Sequence, residues 1–178
     1  MSAVQVLIAG FGGQGILFAG KFLAYAGLLQ GRNVSWLPSY GPEMRGGTAN
    51  CSVIISDMQV GSPIVGRPDI LIAMNLPSLD KYETDVAADG NVFVDNSLVQ
   101  RQIVRKDIDG FYIPATAMAA ENGFDSLANM ILMGHVIAKT GVIPREIIVP
   151  AMKKVVSARH ADLLEKNIEA INLGFEYQ

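Results

Sequence analysis

Cysteine occurs once in the 178 residues, as Cys51. One thiol cannot close an internal disulfide, and it cannot build a cysteine-rich zinc site or an iron–sulfur cluster. Nothing in the chain demands an oxidising compartment, so a reducing cytoplasm is the expected location. Histidine is nearly as scarce: His135 and His160 stand alone, with no second histidine at metal-ligand spacing. Charge is thin as well, at 17% of residues against roughly 25% in an ordinary domain. A formal net charge of −3 leaves no basic excess. That excludes a non-specific nucleic-acid or anionic-membrane binder. The charge deficit predicts that sizeable surfaces of this chain meet other subunits.

No true membrane span is present either. The uncharged stretch from Ala3 to Gly20 is interrupted by Gly10, Gly12, Gly13 and Gly15, carries Gln5 and Gln14, and lacks the positive flank of a signal peptide. It reads as a buried strand, a glycine turn and a helix, in a soluble, unprocessed chain. What the sequence does have is apolar content, 50%, enough for one domain with a sizeable core.

Val4 to Ala9 suits a strand buried on both faces, and a helical pattern starts at Ile16 and closes at Gly31. Asn33 to Leu37 reads as a second strand, which makes the unit βαβ with parallel strands. An irregular Gly- and Pro-rich stretch follows from Pro38 to Gly47. Further strands are predicted at Thr48–Ser56, Gln59–Val60, Ile70–Met74, Asn91–Asp95 and Phe111–Ile113. A helix opens at Pro77. The last third is helical, with Gly141 ending one helix, Pro144 opening another that Pro150 should kink or split, and an amphipathic run from Arg159 to Leu173. Residues 1–178 thus read as a single α/β domain, three-layered and Rossmann-like, with a parallel or mixed central sheet.

Gly10-x-Gly12-x-x-Gly15 lies between a strand and a helix, the setting in which a glycine fingerprint brings backbone N–H groups close to an anion. A dinucleotide site also needs an acid near the end of the second strand. Here that region reads Trp36-Leu37-Pro38-Ser39-Tyr40, and the first acid is Glu43, beyond a turn. The loop therefore stays open between a dinucleotide, another phosphate-bearing ligand, and tight packing or subunit contact.

Two segments together carry a family resemblance. Ile8 to Gly27, containing GFGGQG, and Ser39 to Ser56, containing YGPEMRGG, resemble the gamma subunit or domain of 2-oxoacid:ferredoxin oxidoreductases. Leu127–Val136 and Asn167–Tyr177 are similar to later pieces of the same family. The likeness spans nearly the whole chain in the expected order and is strongest to the separate gamma chain of 2-oxoglutarate enzymes. Pyruvate- and indolepyruvate-type chains stay open, as does an independent dinucleotide-binding reductase. The resemblance implies a subunit, inert alone, of a complex that oxidatively decarboxylates a 2-oxo acid to an acyl-coenzyme A and sends electrons to ferredoxin or another acceptor. Its partners would be alpha, beta and ferredoxin-like delta subunits. Thiamine diphosphate, magnesium and iron–sulfur clusters would be held by those partners and none by this chain, which lacks a Gly-Asp-Gly element. Whether coenzyme A touches this chain stays open.

The expected ligand-binding or subunit-interface residues are Gly10, Gly12, Gly13, Gln14 and Gly15 in the first loop, and Tyr40, Glu43, Met44, Arg45 and Gly46 in the second. Arg45 can fork onto a carboxylate or a phosphate, or form an internal ion pair. No catalytic nucleophile–base pair and no metal site is expected. Cys51 and His135 read as buried structural residues, His160 as surface, and Asp95-Asn96-Ser97 as a turn or helix cap.

Overall fold

A computed structural model of the chain describes residues 3–39, 48–124 and 126–178. Six strands form one sheet: β1 (Val4–Phe11), β2 (Asn33–Ser39), β3 (Thr48–Ser56), β4 (Ile70–Ala73), β5 (Asn91–Asp95) and β6 (Asp109–Ile113), in the spatial order β2-β3-β1-β4-β5-β6. β1, β4, β5 and β6 are parallel neighbours, whereas β3 runs antiparallel to both β1 and β2. The sheet is therefore mixed. β2 does run in the same direction as β1, as a βαβ unit requires, but β3 is inserted between them.

The strands are apolar runs because both faces are covered. Val6, Ile8, Ile70 and Ile72 point to one face and join Cys51, Val53 and Ile55 of β3 in the larger core. That face is packed by α1 (Ile16–Leu29) and α4 (Ala128–Thr140), with α5 (Ile148–Val155) against α1 and α6 (Ala161–Phe175) against α4. Leu7, Leu71, Ala73, Val92 and Val94 alternate to the other face, where α2 (Leu76–Tyr82) contributes Leu79. The three layers are thus unequal: three long helices, α5 and α3 (Ala115–Glu121) against one seven-residue helix and coil.

Several boundaries follow from single residues. Asn75 caps α2, its Oδ1 accepting the Ser78 N–H at 2.8 Å, so the helix starts at Leu76 with Pro77 in its first turn. The strand expected at Gln59–Val60 does not form: this segment, with Gly61, Pro63, Gly66 and Pro68 close behind, is coil. Pro150 does not kink α5; the helical run that Pro144 opens is split ahead of it. A 3-10 turn at Arg145–Ile147 leads directly into α5, which places Pro150 in that helix's first turn, where its missing N–H is not needed.

α4 and α6 cross backbone to backbone. A Cβ on Gly134 would lie 1.9 Å from the Ile171 carbonyl oxygen, and one on Gly174 would lie 1.7 Å from that of Ile131. The two C-terminal segments that carried the family resemblance are the two sides of this contact, so their glycines are demanded by packing.

Candidate functional site

β1 delivers the glycine loop to the end of the sheet where β4 and β5 also finish. The loop's outer glycines are packing residues. A Cβ on Gly10 would meet Gln14 Oε1 at 2.6 Å and Ile16 Cδ1 at 2.7 Å. Gly15, at φ +73°, caps α1 without any side-chain hydrogen bond, and a Cβ there would strike Asn129 Nδ2 at 2.4 Å. Gly12 and Gly13 differ. Both are exposed, a Cβ on either would meet nothing within 4 Å, and Gly13 takes φ +90°. The crest of the loop is bare backbone facing outward, beside an uncapped helix N-terminus whose dipole favours negative charge.

Gln14, half-buried, folds its side chain back onto the loop. Its Oε1 accepts the Phe11 N–H at 2.6 Å, and its Nε2 donates to the Met74 carbonyl just past β4 at 3.1 Å. On the other flank, Asn129 Nδ2 donates from α4 to the Gly15 carbonyl at 3.0 Å. Asn129 is buried, and its Oδ1 has no partner among the described residues.

Gly13 separates two cavities. One, of about 330 Å³, is lined by Gln14, Met74, Leu98, Ala119 and Phe124, with Thr116 and Ser126 as polar groups. The other, of about 260 Å³, lies along Phe11, Gly12, Gly15 and the first turn of α1. Exposed Phe11 and Leu98 add apolar surface around the crest. Ligand sites of open α/β sheets gather at this end of the parallel strands.

Tyr40, Glu43, Met44, Arg45 and Gly46 lie outside the described residues. The strand that follows them starts beside the crest, since Thr48 pairs with Phe11 and Ala49 with Gly10. A dinucleotide arrangement lacks its second half here. β2 is separated from β1 by β3, and it carries no acid from Asn33 to Ser39.

The remaining conspicuous residues are structural. Cys51 is fully buried, and burial pushes its thiol pKa up to about 12, only partly offset by a hydrogen bond with Trp36. His135 sits edge-on to Phe93, Phe111 and Tyr177, with ring centroids 5.9, 6.3 and 5.5 Å away. His160 is exposed just ahead of α6. Asp95 is buried at the end of β5, where its carboxylate accepts the N–H groups of Ser97 (3.1 Å) and Thr116 (3.1 Å) and the Thr116 hydroxyl (2.5 Å). It fixes a turn and the start of α3.

Sequence reasoning missed two features. Asn129 was legible only as one polar residue in an otherwise apolar helical run. Glu83 gave no signal, yet it is buried and paired with Arg101 Nη1 at 2.7 Å. It also accepts the N–H groups of Val104 (2.5 Å) and Arg105 (3.2 Å), pinning the coil before β6. Among the described residues no group of three His, Cys, Asp or Glu is placed to hold a metal, and no helix is long and apolar enough to cross a membrane.

Comparison with known proteins adds the following. The family model described as pyruvate ferredoxin/flavodoxin oxidoreductase matches residues 5–177. The 2-oxoglutarate synthase subunit KorC of Methanothermobacter marburgensis is 38% identical over 97% of this chain and 95% of its own length. The ketoisovalerate oxidoreductase subunit VorA of the same organism is 44% identical over 76% of this chain, which spans only 28% of that longer protein. Among solved structures, the gamma subunit of a keto/oxoacid ferredoxin oxidoreductase from Geobacter sulfurreducens superimposes with a TM-score of 0.82 at 30% identity, covering 97% of this chain and 96% of that one. The fold recurs with a TM-score of 0.87, at 20% identity, in 2-oxoglutarate:ferredoxin oxidoreductase from Magnetococcus marinus, solved with 2-oxoglutarate, coenzyme A and succinyl-CoA bound; it covers 98% of this chain and 31% of that one.

Proposed function

The chain belongs to the pyruvate ferredoxin/flavodoxin oxidoreductase family, and from that premise we propose that it is the gamma subunit of a complex that oxidises 2-oxoglutarate. The balanced reaction is 2-oxo acid plus coenzyme A giving acyl-coenzyme A, carbon dioxide, a proton and two electrons, the last passed to ferredoxin or another acceptor. The end-to-end match to KorC, 97% of this chain and 95% of that one, favours 2-oxoglutarate. A branched-chain oxo acid is the second reading, favoured by the 44% identity to VorA over a shorter stretch.

This chain's part is docking rather than chemistry, and the observation that carries it is the bare crest at Gly12 and Gly13. Exposed backbone at which even an added Cβ would meet nothing within 4 Å, next to a helix N-terminus without a side-chain cap, suits close approach by a partner's surface or by the phosphates of coenzyme A. Thiamine diphosphate, magnesium and iron–sulfur clusters are assigned to the alpha, beta and delta partners. Cys51 is the sole cysteine and is locked in the sheet, so it does not fit a cluster.

The test is a mild affinity isolation of the tagged chain from its source cells, followed by assays with 2-oxoglutarate, ketoisovalerate, pyruvate and indolepyruvate. Recovery of thiamine-binding and iron–sulfur subunits with coenzyme A-dependent oxidation of 2-oxoglutarate is the expected result. Preference for ketoisovalerate selects the second reading, and recovery of the chain alone removes both.

A further inference from the structure

The crest must hold one shape if it is to dock anything, yet Gly12 and Gly13 bring no side chains of their own to fix it. Two amides from outside the crest fix its ends. Gln14 folds back, and through its two hydrogen bonds it ties Phe11, the last residue of β1, to Met74, just beyond β4. Asn129 reaches across from α4 and holds the Gly15 carbonyl, the other end of the crest. Space is arranged around these amides. Gly10 is bare where Gln14 Oε1 passes, and Gly15 is bare where Asn129 Nδ2 passes; a Cβ at either position would come within 2.6 or 2.4 Å of them.

We propose that Gln14 and Asn129 are positioning residues that pre-set the Gly12–Gly13 crest for the phosphates of coenzyme A. The two bonds engage one lone pair of the Gln14 carbonyl and one N–H of its amide, which fixes the orientation of the side chain between β1 and β4. Asn129 is 4% exposed, which keeps its amide from surface contact. The assignment rests on the reading of the crest as the docking element.

A rigid crest adds affinity by removing the ordering cost that a loose one would incur on binding. If only a tenth of the molecules present the competent shape, apparent affinity falls tenfold, while a saturating ligand restores it. Loss of positioning therefore moves a Michaelis constant and leaves kcat alone. A merely structural role lowers stability and moves neither.

The experiment uses the reconstituted complex with coenzyme A as the varied substrate, and amide exchange by NMR on the full chain. Gln14→Met keeps the length of the side chain without its hydrogen bonds. It should speed exchange of the Phe11 amide about tenfold and raise the coenzyme A Michaelis constant about tenfold, with kcat within twofold of wild type. Asn129→Leu should shift the Michaelis constant in the same direction. Gln14→Glu retains the acceptor for Phe11 and should restore slow exchange of that amide. Gly12→Val tests the docking reading itself, because a side chain there has open space and no clash in the free chain. If Gly12→Val changes neither assembly nor the Michaelis constant, the docking reading falls, and with it the functional claim for both amides. If Gly12→Val acts while Gln14→Met leaves Phe11 exchange and the Michaelis constant at wild type, the positioning assignment is overturned. A lowered melting temperature alone, without those two changes, overturns it as well.

Discussion

Helix propensity and packing make opposite forecasts for Gly134→Ala. Gly134 lies inside α4, where alanine is favoured over glycine by about 1 kcal/mol. Propensity alone therefore predicts a more stable protein. The crossing with α6 predicts the reverse. The new methyl would sit 1.9 Å from the Ile171 carbonyl oxygen and 2.8 Å from the Phe175 nitrogen, and both are backbone atoms that cannot rotate away. To bring the first contact out to 3.0 Å, α6 must retreat by about 1.1 Å. A gap of roughly 1 Å forfeits up to half of the dispersion well for atoms across the interface. Those atoms include Ala170 and Ile171, which are fully buried. Overpacking of this kind costs about 1–3 kcal/mol, and the rigid backbone partners place this case at the upper end. After subtracting the propensity gain, we expect a net loss of about 2 kcal/mol, or roughly 4–8 °C in melting temperature for a domain of this size. Thermal and urea unfolding followed by circular dichroism measure it directly. Gly174→Ala, facing the Ile131 carbonyl, should act alike, and the double variant should cost less than the sum, because one separation of the helices accommodates both methyls. An unchanged or raised melting temperature for Gly134→Ala would refute the close crossing.

His135 and Glu83 both lose their stabilising contribution as pH falls, in different windows. Burial among Phe93, Phe111 and Tyr177 lowers the His135 pKa below 6.5, Lys139 lowers it further, and the backbone at Gly174 and Tyr177 only partly opposes. The unfolded chain then takes up the proton first, so this stability is complete above about pH 6.5 and declines as pH falls below it. His135→Phe should flatten the fall in urea midpoint between neutral and mildly acidic pH; an unaltered slope would contradict the burial argument. For Glu83, burial pushes the carboxyl pKa up, but the Val104 and Arg105 N–H groups and Arg101 outweigh it and hold it below 4.5. That stability is present above the ordinary carboxylate range and lost as pH falls through the lowered pKa. Glu83→Gln removes the charge from a buried pair whose arginine is partly solvated, and should cost about 2 kcal/mol in urea unfolding at pH 7; a change below 0.5 kcal/mol would show the network to be dispensable.

The sequence by itself determined most of the elements and the family. Apolar runs such as Ile70–Ala73 become strands buried on both faces because their residues have no polar face to offer water, and that is a local property. The glycine loop between β1 and α1 was equally legible, since strand, glycines and helix are contiguous. So was the structural character of Cys51, His135 and Asp95. The tertiary structure alone decided what depends on partners distant in the chain. It inserted β3 between β1 and β2, which removes the second half of a dinucleotide site, because strand order is settled by long-range pairing. It divided six residues of one motif into packing glycines at Gly10 and Gly15 and an open crest at Gly12 and Gly13, a distinction set by Met74 and Asn129. Gln14 and Asn129 lie more than a hundred residues apart, and only folding brings both to the two ends of that crest.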